Sequence, residues 1–336
     1  MIRGAGLALR QWTEETRVKE PRGMVVALAL ALDLLLGEPP ERWHPVVWMG
    51  RLIGALERRA PKSGRIRQLL FGAAMEAICV MAAALPARLL NRVVPVDSLP
   101  GILLRAISLK PTFALRALFD HHSRVGDALA RSDLNGARRA VGAIVSREVG
   151  ELEEVGVVAA AVESLAENAA DSVVAPLLYY TLFGLPGAYL YRAANTLDAM
   201  VGYHGRYEYL GKVAARADDT LNLVPARLAA VAMAAGSCAI GSSPRSTWVR
   251  TRREASRTES PNAGWPMAAV AGALDVRLEK VGHYVLHPAG RTPTKGDLRR
   301  ARRVVGAGLA VAILGLILVG GGAREASCGR NPSREG

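Results

Sequence analysis

From Val304 to Gly322 the chain runs nineteen residues without a charge. A helix needs roughly 20 apolar residues to cross about 30 Å of hydrocarbon, so this run meets the length and polarity of a membrane span. Three further runs come close. Leu69 to Leu85 carries one acid, Glu76; Val173 to Tyr191 is broken by Pro176 and Pro186; Leu223 to Ile240 contains Pro225 and Arg227. Proline inside a span is tolerated where neighbouring protein or water satisfies the freed backbone groups. Kinked or broken membrane helices are therefore expected here, with buried helices of a soluble bundle as the alternative for the three interrupted runs.

Composition supports helices. Half of the 336 residues are hydrophobic, and Ala, Leu, Val and Gly supply most of them while aromatics reach only 5%. Such text favours helices over strands. Between the greasy runs, Phe113 to Leu152 is amphipathic and charged, and Ser132-Asp133-Leu134 has the look of a helix start. Two soluble helices are expected there. Ser242 to Pro261 is polar and arginine-rich and reads as a loop. The expected fold class is all-α: a polytopic integral membrane helical protein with amphipathic soluble helices between its spans.

The ends differ from the middle. Residues 1–23 are polar and basic, and no small-residue cleavage site follows the apolar stretch that opens at Met24. They read as a disordered basic extension, 24–322 as one membrane-embedded helical domain, and 323–336 as a polar tail. Arg299, Arg300, Arg302 and Arg303 precede the last run, which puts that loop in the cytoplasm by the positive-inside rule. If both central runs crossed fully, the segment Arg192 to Asn222 would lie outside. Nucleotide-dependent chemistry there would favour at least one re-entrant or non-spanning run.

The formal charge is +13, and almost all of it is arginine. No zinc finger, helix-turn-helix or RNP pattern accompanies it, so nucleic acid is not the expected partner. Basic loops between apolar segments suit a bilayer surface. Cys79, Cys238 and Cys328 are far apart and form no CxxC pair, which argues against a disulfide framework and a cysteine zinc site. Neither GxxxxGK[ST] nor HExxH occurs, so a P-loop nucleotide site is excluded.

Against this background one set of residues is costly. Glu163, Glu167 and Asp171 stand at i, i+4 and i+8, within about 80° on one helix face. Three acids so placed repel one another unless a cation sits among them. Asn195 and Asp198 follow at i, i+3, and Asp218-Asp219 with Asn222 repeats that chemistry. Helix capping explains any one of these, and a solvated or arginine-paired stripe is the plain alternative for the triad. The apolar continuation from Val173 weighs against free solvation. The string Ser260-Pro261-Asn262-Ala263-Gly264-Trp265-Pro266 fixes an irregular backbone. His44, in Trp43-His44-Pro45, has no metal-ligand spacing around it.

Taken together, the strings resemble a known family. DLLLGEPPERWHPVVWMGRLI (Asp33 to Ile53), ESLAENAADSVVAPLLYY (Glu163 to Tyr180), NTLDAMVGY (Asn195 to Tyr203), ARADDTLNLVPARL (Ala215 to Leu228) and SPNAGWPMAAVAGALDVRLEK (Ser260 to Lys280) look like the cobalamin-biosynthesis CobD/CbiB family. The likeness runs in order from about Met24 to Arg303. Met267 departs from the family pattern, standing where a Glu is frequent.

The resemblance implies a multi-pass prokaryotic cell-membrane protein with adenosylcobinamide-phosphate synthase activity. Such an enzyme joins an amino-alcohol phosphate, typically aminopropanol phosphate, to a propionate carboxyl of adenosylcobyric acid and consumes ATP. A carboxylate must be activated before an amine attacks it, and magnesium would neutralise the phosphate oxygens. Laid on the residues, this gives catalytic roles to Glu163, Glu167, Asp171, Asp198 and Asp219, with magnesium held by Glu167, Asp171, Asp198 and Asp219. Arg147, Arg192 and Arg216 would pair with phosphate. Asn168, Asn195 and Asn262 would bond phosphate or corrin amides, and Ser260, Trp265 and His44 complete the expected substrate site. Expected partners are the corrinoid, the amino-alcohol phosphate, the lipid bilayer, and further copies of the chain or other membrane enzymes of the pathway. A membrane corrinoid transporter or scaffold is the rival reading, since intramembrane acids and broken helices also suit transport; no inverted repeat is evident.

Overall fold

The computed structural model describes residues 21–95, 98–203 and 205–322. Most of residues 1–23 and the whole tail 323–336 therefore lie outside the described residues. The first described helix, α1 (Arg22–Leu36), starts two residues ahead of Met24. There the Arg22 guanidinium donates to the carbonyls of Thr181 and Leu182 at 2.8 and 2.9 Å.

Twelve α-helices and one small hairpin make up the described chain. After α1 come α2 (Pro45–Glu57), α3 (Arg65–Val93), α4 (Leu99–Leu109), α5 (Leu115–Ala130) and α6 (Leu134–Gly142). They are followed by α7 (Glu154–Ala169), α8 (Ala175–Val201), α9 (Lys212–Gly236), α10 (Pro244–Glu254) and α11 (Gly264–Leu274). Strands β1 (Leu278–Lys280) and β2 (Tyr284–Leu286) then pair antiparallel, and α12 (Lys295–Gly322) closes the chain. Four helical segments are long and apolar enough to cross a membrane: 65–93, 154–201, 212–240 and 295–321. They take in the four apolar runs of the sequence. Their outward faces are greasy: Leu70 and Val93 on α3, Val224 on α9, and Leu318 and Val319 on α12 are all exposed. Lipid removes the penalty that water would impose on such a belt. The protein is a polytopic helical membrane protein.

Close helix contacts rest on small residues. At the antiparallel crossing of α9 and α12, a Cβ on Gly236 would lie 2.4 Å from the Val304 carbonyl oxygen, and one on Gly308 would lie 2.8 Å from that of Ala232. Without a hydrophobic drive between helices in lipid, such backbone approach is what packing has to use. The last helix is tied at its start by the Asp297 carboxylate. Thr294 donates to Asp297 from both its N–H and its hydroxyl, at 2.8 and 2.9 Å.

Two breaks shape the central segment. Ala170–Val174 winds as a π-helical turn between α7 and α8, and the Ser172 carbonyl it frees accepts from Ala114 N at 3.0 Å. Further on, Gly184 adopts φ 69° and ψ −162° just before Pro186, which divides α8 into two helical pieces. Only glycine reaches that region without strain. The expected kink in the Val173–Tyr191 run is thus present.

The amphipathic pair also forms as expected. Asp133 caps α6, its Oδ1 accepting from Gly136 N at 2.7 Å, and α5 and α6 pack on each other. The stretch 242–261 corrects the sequence reading, because it contains α10 rather than a loop. Ser243 caps it and Pro244 occupies its first turn. Its inward residues Thr247 and Thr251 are buried, and Trp248 packs at 5.9 Å from the Trp265 ring. Two threonines and a tryptophan are too few to show as an apolar stripe among arginines. The β1–β2 hairpin is the other feature that an all-α reading leaves out.

Candidate active site: an acidic cleft framed by amides

A cleft of about 630 Å³ opens between α7, α8, α9, the loop before α11 and the hairpin. Seven carboxylates line it: Glu163, Glu167, Asp171, Asp198, Asp218, Asp219 and Glu259. Two cations, Arg147 and Lys280, face them. The Glu163–Glu167–Asp171 stripe comes from α7 and the π-helical turn, which widens the helix just where Asp171 stands. Asn195 and Asp198 come from the last turns of α8, and Asp218, Asp219 and Asn222 from the first turns of α9.

Asp218 is the hub of the floor. It accepts from Asn195 Nδ2 at 3.1 Å and from Asn222 Nδ2 at 3.0 Å. Asn222 in turn accepts from the Tyr191 hydroxyl at 2.9 Å, and Asn195 from Arg192 at 3.4 Å. Asn168 donates to the Ser164 carbonyl and hydroxyl at 2.9 and 3.1 Å. The amides thus hold the protein's own groups.

The loop from Ser260 is pinned the same way. Asn262 Nδ2 donates to the Asp219 carbonyl at 2.7 Å, and its Oδ1 accepts from Arg227 at 3.0 Å. The Asn262 amide is therefore committed at both ends, and it builds the loop. Ser260 sits 3.4 Å from Asp219 Oδ1. Trp265 lies outside the cleft lining, under the Arg227 guanidinium at 4.9 Å from the ring centre.

At the cleft's cationic side Arg147 pairs with Glu163, which is almost wholly buried. By contrast, no side-chain hydrogen bond or ion pair reaches Glu167, Asp171 or Asp198 among the described residues. The donor set is carboxylate and amide oxygen throughout, the set a hard divalent cation prefers. Among the described residues no three His, Cys, Asp or Glu converge to close a metal site unaided.

The profile described as CobD/Cbib protein matches residues 26–310. The chain belongs to the CobD/CbiB family. It is 42% identical to the cobalamin biosynthesis protein CobD of Dehalococcoides mccartyi over 78% of this chain and 86% of that protein. It is equally similar to the protein of that name from Chromobacterium violaceum, over 88% of this chain and 97% of that one. A probable cobalamin biosynthesis protein CobD of Methanothermobacter thermautotrophicus is 42% identical over 78% of the chain and 86% of that protein. No solved structure matches.

In this CobD/CbiB chain the cleft gathers Glu163, Glu167, Asp171, Asp198, Asp219, Arg147, Asn168, Asn195, Ser260 and Asn262 from the sequence-derived set. The other four, Trp265 among them, lie near it or elsewhere. Arg192 sits behind the lining and touches it through Asn195. Arg216 is exposed, 3.8 Å from Asp219. His44 caps α2 instead, accepting from Val46 N at 3.2 Å, and its Nε2 pairs with Glu38 at 3.0 Å. Lys110 bridges Glu38 and the buried Asp33 at 2.8 and 3.2 Å. Burial pushes the Glu38 carboxyl up, but the hydrogen bonds from His44 and Lys110 outweigh it and hold the group below its ordinary value. Sequence reasoning passed over Lys280 and Tyr284, whose hairpin gives no local signal, and gave Asp218 no role of its own beside Asp219.

Proposed function

We propose that the chain is an adenosylcobinamide-phosphate synthase, an ATP-dependent ligase joining an amino-alcohol phosphate to a corrinoid carboxyl in cobalamin biosynthesis. The observation that carries this reading is the acidic cleft itself. Three carboxylates that have no side-chain partner among the described residues share the cleft with an arginine and a lysine, in a protein of the CobD/CbiB family.

The reaction needs two transfers. A propionate oxygen of adenosylcobyric acid attacks the terminal phosphorus of ATP, giving an acyl phosphate and ADP. The neutral amine then attacks the acyl carbon, and phosphate leaves with the C–O bonding pair as the amide forms. Bound magnesium would neutralise the phosphate oxygens at the first transfer. Glu167, Asp171, Asp198 and Asp219 are the residues that would hold it, directly or through water. A carboxylate left over from that task would take the proton the ammonium must lose. Arg147, set against Glu163, faces the cleft as a fixed positive charge for phosphate. The Asn195–Asp218–Asn222 network keeps the acids in place against their mutual repulsion. Burial of the reacting groups beside apolar helices limits hydrolysis of the activated carboxyl.

The test is direct. The protein is purified in detergent and given adenosylcobyric acid, aminopropanol phosphate, ATP and magnesium, and the amide product is sought by mass. Absence of product with every amino-alcohol phosphate tried would sink the ligase reading. Flux of labelled corrinoid into proteoliposomes without product would favour the transporter instead.

A further inference from the structure

Lys280 stands in an unusual place for a lysine. In the hairpin register Leu278 pairs with Leu286 and Lys280 with Tyr284. Residues two apart on a strand, and those directly opposite across a pair, share one face. Leu278 and Leu286 are fully buried, so Lys280 and Tyr284 are turned inward with them. The outward residue Glu279 pairs with Arg277 at 2.6 Å, while the turn residue Val281 is 84% exposed. The inward pair forms one wall of the acidic cleft.

Of the two cations lining that cleft, Arg147 is already matched by Glu163. Among the described residues Lys280 makes no ion pair, although it lines the same cleft as Glu163 and Glu167. Tyr284 stands beside it, its hydroxyl 3.7 Å from Met267 Sδ. Burial, then the charge of Glu163, whose carboxylate also accepts from the hydroxyl, push that phenol above its ordinary value, so it remains a donor that a phosphate would have to share with Glu163.

We propose that Lys280 and Tyr284 form the subsite for the phosphate monoester of the amino-alcohol substrate. The inference rests on the ligase reading above and adds the recognition element. The amino-alcohol phosphate is positive at one end and doubly negative at the other. The cleft offers the ammonium a carboxylate left over from the metal, and the phosphate one lysine that makes no ion pair among the described residues, with a phenol beside it. A nucleoside triphosphate carries more charge than a single lysine matches and relies on a metal ion and several cations. The hairpin therefore reads the phosphate of the amine, and ATP is held elsewhere along the cleft.

The experiment uses the full chain in detergent. Lys280→Met is expected to raise KM for aminopropanol phosphate about ten- to a hundredfold, as loss of a charge-assisted hydrogen bond implies. KM for ATP and kcat should stay within about threefold, and Lys280→Arg should recover part of the loss. Tyr284→Phe should raise the same KM by a smaller factor. An unchanged KM for the amine, or a rise confined to ATP, overturns the proposal while leaving the ligase reading intact.

Calorimetric binding covers the case in which no turnover is seen. The wild-type chain should bind aminopropanol phosphate at least about tenfold more tightly than unphosphorylated aminopropanol, and Lys280→Met or Lys280→Gln should abolish that preference at unchanged melting temperature. Equal binding of the two amines by the wild-type chain refutes the subsite whatever the reaction proves to be.

Discussion

Asn195 Nδ2 donates to Asp218 Oδ1 at 3.1 Å, tying the end of α8 to the start of α9 across the floor of the cleft. With Asn222 on its other oxygen, Asp218 is a floor carboxylate fixed by two amides. Asp218→Asn would set an amide against two amide donors. Each lost bond costs about 1–3 kcal/mol when its partner is left buried. The expected result is a melting temperature several degrees lower in detergent and turnover reduced at least about a hundredfold. Thermal unfolding and the mass-detected product assay check both.

The Arg147–Glu163 pair is a second fixed point. Its side chains are 16% and 3% exposed, so removing one partner strands a charge. Arg147→Met should destabilise the protein by about 3–5 kcal/mol. The double variant Arg147→Met, Glu163→Leu should recover much of that stability without recovering turnover. A double-mutant cycle on unfolding free energies measures the coupling. No recovery in the double variant would mean that the pair does not act as a unit.

Gly184 sits at the kink, with φ 69° and a fully buried environment. Alanine there must either adopt a strained backbone or straighten α8, at a cost of about 1–3 kcal/mol. Since Asn195 and Asp198 lie on the far side of the kink, turnover should fall with stability in Gly184→Ala. Wild-type stability and kcat in that variant would show that the kink is incidental.

The proposed magnesium site, on acids that carry no side-chain partner among the described residues, predicts metal dependence. Chelation should abolish turnover, and magnesium should restore it. Asp171→Asn and Asp198→Asn should each raise the magnesium concentration needed for half-maximal rate by about tenfold or more. If both variants keep wild-type magnesium-dependent turnover, these acids do not hold the ion.

His122 gives a pH signature outside the spans. It is 1% exposed, and its Nδ1–H donates to the Leu118 carbonyl at 2.6 Å. Burial pushes its pKa from 6.5 to about 4, the Leu118 bond opposing that shift only in part. Between those values the unfolded chain binds a proton that the folded one refuses. Stability is thus fully present above pH 6.5 and is lost as pH falls toward 4, by about 3 kcal/mol. His122→Gln should flatten that limb of the stability curve by about one proton. An unaltered acid limb in denaturation profiles would assign the effect to other groups.

How far the sequence reached can be seen residue by residue. The stripe Glu163, Glu167, Asn168 and Asp171 was legible because helical period and charge are local properties. The break before Pro186 was legible because proline and glycine act on their own backbone. Asp218 and Asp219 could not be told apart, because neighbouring helix positions point about 100° from each other and packing chooses between them. Asn262 looked like a ligand for substrate until Arg227 and the Asp219 carbonyl took both ends of its amide.

The sequence by itself determined the helical class, the four apolar segments, the amphipathic pair α5–α6 and the presence of unaffordable acids among them. These follow from composition, period and length, which each stretch carries alone. Only the tertiary structure decided which of those acids share a cleft, that α10 is a helix, and that Lys280 and Tyr284 face inward from a hairpin. Those outcomes depend on a π-helical turn, a kink and a strand register. Their energies are set by contacts between segments far apart in the chain, and no local pattern records them.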